Sequence, residues 1–180
     1  MRILRALITA LTLALGLESD VALAPSASGS ELLFADRSTA SEPLAIVVNQ
    51  SNPIDNLSSA ELRKVLLGGR SYWPNGRRIT VVMREPDDLE RKVILRDVYG
   101  MTEEQLKNHI LRGLFTGEIL VSPKILSSPA GVRKFVFNVP GGIGYLRLSD
   151  VDSSVKILRI DQLLPEDKGY KLRIRSQAAD

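Results

Sequence analysis

An α/β domain with a mainly parallel sheet is what this 180-residue chain predicts, and three observations predict it. Leu44-Ala45-Ile46-Val47-Val48 and Ile79-Thr80-Val81-Val82-Met83 have the length and β-branched content of strands covered on both faces. Between and after them lie segments with helical apolar spacing and helix-start chemistry. The order is strand, helix, strand, two helices, helix, strand, strand, and such alternation gives a parallel sheet flanked by helices.

Taken from the N-terminus, the first segment stands apart from this pattern. Arg2 and Arg5 precede a short apolar stretch over residues 6–17, which reads as a secretory signal. Ala22-Leu23-Ala24 offers a cleavage pattern, with Ala14-Leu15-Gly16 as the alternative. Residues 1–24 are therefore assigned to a signal peptide, and the mature chain to the periplasm or the exterior. Residues 25–43, rich in Ser, Ala and Pro, are assigned to a linker with a short apolar piece at Leu32-Leu33-Phe34. A single domain is expected over 44–180.

Within the domain, Asn52-Pro53 ends the first strand. Ser58 caps the next helix, with Glu61 at the reciprocal position and Leu57 stapling to Leu62. Leu62, Val65 and Leu66 form its apolar face, and Gly68-Gly69 stops it. Trp73-Pro74-Asn75-Gly76 makes a turn that the indole anchors. After the strand at 79–83, Asp87 is expected to cap a helix with Glu90 three residues on. Leu89, Val93, Ile94 and Val98 are its expected core side, and Gly100 its end. Thr102 with Gln105 predicts a third start, followed by the face Leu106, Ile110, Leu111, Leu114. Ser128-Pro129 predicts a fourth, burying Val132, Phe135 and Val136. Pro140-Gly141-Gly142-Ile143-Gly144-Tyr145-Leu146 turns into a strand through tight glycine backbone, with Tyr145 packing inward. Residues 155–160 form another strand. Tyr170 to Arg175 alternates apolar with basic, as in an exposed edge strand.

Composition excludes several functions. The net charge of +3 gathers late, at Lys168, Lys171, Arg173 and Arg175, with only Tyr170 to stack on a base, so no nucleic acid is expected. No cysteine is present, which removes thiolate metal sites, thiol nucleophiles, disulfides and a lipid-carrying cysteine. The single histidine, His109, supports neither a zinc site nor a Ser-His-Asp engine and reads as structural or solvent-facing. No nucleophile set or acid–base pair points to an enzyme, and no cofactor is implied. Beyond the first segment no stretch is long and apolar enough to span a bilayer, so the chain is not read as an integral membrane protein.

Several stretches, taken in order, resemble the second lobe of phosphate-binding periplasmic proteins. They are Ile46-Val47-Val48-Asn49, Asn52 through Ser58, Glu61-Leu62, Leu67-Gly68 with Trp73, the Arg84 segment with Gly100-Met101, and Pro140 through Tyr145. The family consists of extracytoplasmic solute-binding components of phosphate ABC importers. The resemblance implies a single lobe of the type II periplasmic-binding fold, and an ABC permease or another envelope protein as partner. The chain has length for about one lobe after the linker. Half of the family's clamp is missing, and a homodimer could supply a second wall.

One stretch departs from the family. Many relatives carry a Gly-Ser-Gly-Thr-like turn after the strand that 79–83 resembles, where N–H groups and hydroxyls donate to the anion. The matching positions here are Pro86, Asp87, Asp88 and Leu89. Ionised carboxylates only accept hydrogen bonds, so they argue against a small anion. The candidate ligand-site residues are Arg84, Asp87, Asp88 and Ser128. Each has a plainer alternative: Asp87 and Asp88 as helix cap and dipole partner, Arg84 as an ion-pair arginine, Ser128 (with Ser127) as a cap. A cation or amine held by Glu85, Asp87 and Asp88 is a further alternative. Two functions follow: a solute-binding-like protein with an altered or lost anion site, or a ligand-free interaction module whose Tyr170–Arg175 strand adds to a partner's sheet.

Overall fold

β1 (Glu42–Asn49) is buried continuously from Leu44 to Asn49, as a strand covered on both faces requires. The computed structural model describes residues 41–175; the signal-peptide assignment and residues 25–40 of the linker lie outside them. The strand begins two residues earlier than expected, so Glu42 and Pro43 belong to the sheet rather than to the linker.

The chain continues through β2 (Asn56–Leu57), α1 (Ser59–Leu66) and β3 (Thr80–Arg84). Next come α2 (Leu89–Ile94), extended by a π-helical turn at Leu95–Tyr99, and α3 (Glu103–Thr116). β4 (Lys124–Leu126), α4 (Pro129–Asn138) and β5 (Gly142–Arg147) follow, then β6 (Val155–Ile157), β7 (Arg159–Ile160) and β8 (Arg173–Ile174). The main sheet runs in the order β4-β3-β5-β1-β6, with β8 also on β1. β3 is parallel to β4 and β5, whereas β1 is antiparallel to β5, β6 and β8. The sheet is therefore mainly parallel, with β1 the reversed strand. β2 and β7 form a separate parallel pair.

Period-two alternation sorts β1 between two cores. Leu44, Ile46 and Val48 face the cluster that includes Leu62, Val65, Ile94, Tyr99 and Leu106. Ala45 and Val47 face the cluster that includes Val132 and Val136 of α4. Helices thus cover both faces, giving three layers.

Three helix starts follow the sequence reading. Ser58 and Glu61 exchange bonds at 3.2 and 2.9 Å, as do Thr102 and Gln105. Ser128 Oγ accepts the Gly131 N–H at 3.1 Å, with Pro129 first in α4. Gly100 ends the π-helical turn in a left-handed conformation, φ 59°. Trp73 anchors its turn by donating its indole N–H to the Gly141 carbonyl at 3.1 Å. A Cβ on Gly141 would lie 1.8 Å from the Arg78 carbonyl oxygen, so no other residue fits there.

Several expectations need correction. Leu89 is exposed, because α2 starts one residue later than read and turns that side chain outward. Leu111 and Leu114 are also exposed, while Leu106 and Ile110 of the same helix reach the core. The alternation over Tyr170–Arg175 is real, but Tyr170, Leu172 and Ile174 are buried. Only Arg173–Ile174 is strand, and it pairs with Glu42–Pro43. The Tyr170 hydroxyl donates to the Leu44 carbonyl at 2.8 Å, tying this segment into the domain. Residues 155–160 split into β6 and β7, which join different sheets.

Candidate functional site

The C-terminal ends of β3, β4 and β5 lie side by side because these strands are mutually parallel. Ligands in α/β sheets bind outside such ends, where loops enter helices. Here β3 ends on Arg84, β4 on Leu126 just before Ser127 and Ser128, and β5 on Arg147.

Arg84 is only 6% exposed. Its N–H donates to the Tyr145 hydroxyl at 3.0 Å. Its guanidinium donates to the Leu126 carbonyl at 3.3 Å and lies 3.0 Å from the Asp88 carboxylate. Nε of Arg84 is buried and has no hydrogen-bond partner. Tyr145 is fully buried and its phenol is pushed up to about 12 by that burial, offset in part by the Arg84 N–H, so the hydroxyl stays neutral.

Asp88, not Asp87, is the N-cap of α2, and its side chain makes no capping bond. Pro86 and Asp87 form a turn closed by the Asp88 N–H on the Glu85 carbonyl at 3.2 Å. That turn carries the chain one residue further before the helix begins. It leaves Asp87 exposed and directs the Asp88 carboxylate back to Arg84. Glu90, expected as the reciprocal cap, instead pairs with Arg147 Nε at 2.6 Å. Burial pushes the Glu90 carboxyl up, but hydrogen bonding and charge from Arg147 outweigh it and hold it below the usual carboxylate range. Arg147 also contacts Glu42 at 2.9 Å.

Beneath these groups lies Arg91, 4% exposed. Its Nη1 donates to the Arg84 carbonyl at 2.7 Å, and its Nε and Nη2 donate to the two Glu103 carboxylate oxygens, the Nε bond at 2.8 Å. Arg84, Arg91 and Arg147 thereby each meet a carboxylate of the chain, although Asp88 Oδ2 completes no hydrogen bond, and Glu85 and Asp87 stay exposed without an ion pair among the described residues. Arg91 escaped the sequence reading although it sits three residues before Ile94 and seven before Val98, on the buried stripe of its helix. Glu90 and Arg147 are too far apart in sequence for any local pattern to join them.

Of the four candidate residues, the structure brings Arg84 and Asp88 into contact. Ser128 stands near them through Leu126 but spends its oxygen on its own helix. Asp87 does not join them. Glu85, Asp87 and Asp88 do not converge on a cation: among the described residues no group of three or more His, Cys, Asp or Glu side chains could hold a metal ion. His109 places Nε2 3.0 Å from the Leu67 carbonyl oxygen, linking α3 to the end of α1. No helix among the described residues is long and apolar enough to cross a membrane.

No family model matches the chain. Its fold is similar to that of several solved proteins. A Clostridium perfringens protein described as a phosphate ABC transporter substrate-binding protein, solved with bound phosphate, aligns with a TM-score of 0.63 at 22% identity over 76% of this chain and 54% of its own. An ABC-type phosphate transport receptor from Vibrio cholerae aligns at 0.58 and 23% identity, over 79% and 60%. PstS from Borrelia burgdorferi aligns at 0.60 and 16% identity, over 75% and 55%. The chain spans little more than half the length of these proteins and has the fold of one lobe.

Proposed function

We propose that this chain is an extracytoplasmic solute-binding-like lobe, related to those that serve phosphate ABC permeases, in which the anion site is filled by its own Asp88. The observation that carries this reading is the 3.0 Å contact between the Asp88 carboxylate and the buried Arg84 guanidinium. A buried arginine at the end of a parallel strand, beside two helix starts, is the group that would meet an anion there. In this chain a carboxylate four residues on already meets it. A phosphate arriving next to Asp88 would face repulsion on the order of 4 kcal/mol per charge pair at about 4 Å and an effective dielectric near 20, before screening. The turn at Pro86-Asp87 supplies neither a glycine for close backbone approach nor a hydroxyl donor.

Calorimetric titration of the purified chain with phosphate tests this. No binding tighter than millimolar is expected, and micromolar affinity would overturn the reading. Export is tested alongside by fractionating expressing cells and sequencing the N-terminus of the recovered chain, which should begin after the apolar segment at 6–17. Cytoplasmic retention with an intact N-terminus would contradict it.

A second reading, a ligand-free interaction module of the cell envelope, is favoured by a different observation. Among the described residues, six of the nine exposed large apolar side chains fall within residues 111–125. This surface, rather than the Tyr170–Arg175 segment whose Arg173–Ile174 strand pairs with β1, is where a partner would bind.

A further inference from the structure

We propose that a basic tip at the end of the domain opposite Arg84 docks on a membrane surface carrying anionic phospholipid headgroups. The tip lies at the entry to β3, whereas Arg84 lies at its exit. From Leu62 to Arg84 the chain has no carboxylate, and Lys64, Arg70, Arg77 and Arg78 fall in that stretch. Folding gathers these four. The Lys64 stem passes Gly69, next to Arg70. Tyr72 and Arg78 form an antiparallel bridge, and the Trp73 N–H donates to the Arg77 carbonyl at 2.8 Å. A projecting turn results, exposed throughout 74–78, and the buried indole of Trp73 fastens it to Gly141. The Arg70 guanidinium lies 5.9 Å from the Trp73 ring centre, and that of Arg78 lies 5.8 Å from the Tyr72 ring centre. None of the four cations enters an ion pair among the described residues, in contrast to Arg84, Arg91 and Arg147.

Charge and relief together select a lipid surface as the partner. Unmatched guanidinium groups pair with phosphate in a two-pronged geometry, so the tip calls for a surface dense in phosphate. Among the cations stand apolar side chains: Tyr72, Leu120 and Val121 are 46%, 50% and 38% exposed. Leu120 and Val121 share one shallow recess with Arg70, Ser71 and Arg78. Apolar groups rimmed by arginine match the layer where headgroups give way to acyl chains, and a tyrosine ring settles at that depth. The recess holds only about 30 Å³, room for a water or two and not for a side chain. A protein partner would anchor in a well-packed pocket, and the tip offers none. A bilayer needs no pocket, because it moulds to a projecting turn. One carboxylate, Glu118, stands on the loop that carries Leu120 and leaves the tip positive. Glu61, just ahead of the stretch, is engaged by Ser58. This inference does not rest on the Arg84 site.

Co-sedimentation of the full chain with vesicles tests this. Vesicles of phosphatidylcholine mixed with phosphatidylglycerol should bind it at least about tenfold more tightly than vesicles of phosphatidylcholine alone, and the difference should shrink as salt rises. Lys64 and Arg77 are exposed and in no ion pair among the described residues, so Lys64→Gln/Arg77→Gln should leave the fold intact. It should weaken binding to the mixed vesicles about twentyfold, each cation contributing about fivefold. Leu120→Ser should weaken it about fivefold by removing an apolar contact. Lys134→Gln/Lys168→Gln removes the same charge from exposed positions on other elements and should change binding less than about twofold. A natural chain that ignores the mixed vesicles would overturn the proposal and leave the tip to an acidic protein. Equal losses in the two charge variants would overturn it too, since binding would then follow net charge and not the tip. Binding that none of the variants weakens, as would arise from the apolar segment at 6–17, would also overturn it.

Discussion

The ends of β3 and β5 and the outer side of α3 satisfy their side chains in opposite ways. At the strand ends, Arg84 meets Asp88, Arg91 meets Glu103, and Arg147 meets both Glu90 and Glu42. Three arginines are paired with four carboxylates there, which leaves the group one charge negative, and two of the arginines are almost wholly buried. Along α3 the reverse holds: among the described residues Leu111, Leu114 and Phe115 are exposed, next to an open groove. Resemblance to solute-binding proteins directs attention to the first region, where each arginine already meets a carboxylate of the same chain. The second, on which the resemblance is silent, is the one left incomplete.

Substitutions can break this contrast in order of expected effect. Arg91→Met should cost about 3 kcal/mol of unfolding free energy, since it leaves Glu103 and the Arg84 carbonyl without their buried donor. Urea unfolding measures it, and a loss below about 0.5 kcal/mol would mean that the charges are not mutually dependent. Arg147→Met should cost about 2 kcal/mol, somewhat less because Arg147 is partly exposed. It should also change the response to pH. In the natural chain Glu90 is held below its ordinary value, so its stabilisation is complete above that value and is lost as pH falls through the depressed one. Without Arg147, burial is opposed only by a backbone hydrogen bond and the Arg84 charge, so the stabilisation that Glu90 loses as pH falls should shrink. Unfolding midpoints at several pH values from mildly acidic to neutral would reveal the smaller acid-side loss. Ser58→Ala should cost about 1 kcal/mol by removing a capping bond. Phe115→Ser should change the stability of a single chain by less than about 0.5 kcal/mol, because the ring is 90% exposed. Thermal unfolding of dilute samples checks this, and a large loss would mean that the patch is covered within the chain itself.

The sequence made some of this contrast legible and not the rest, for physical reasons. Helix starts at Ser58, Thr102 and Ser128 were readable because capping is local, fixed by residues three apart. The core faces of β1 and α4 were readable from periodicity. The start of α2 was misread by one residue because Asp87 and Glu90 fit the capping pattern, while Pro86 favoured a turn ahead of it. That single step moved Leu89 to the surface and turned Asp88 toward Arg84. The link between Glu90 and Arg147 depends on β5 lying beside β3, a consequence of tertiary order that no local spacing encodes. Exposure of Leu111 and Leu114 was equally hidden: helical spacing shows that they share a face with Leu106, not how far along α3 the core extends.

The central claim is that Asp88 stands in for an anion at Arg84. Calorimetric titration of phosphate into an Asp88→Gly chain, beside the natural chain and an Arg84→Gln/Asp88→Gly chain, tests it most directly. The account predicts measurable phosphate binding in Asp88→Gly alone, at least about tenfold tighter than in either of the others. Equal affinity in the natural and Asp88→Gly chains, or binding that survives the loss of Arg84, would contradict it.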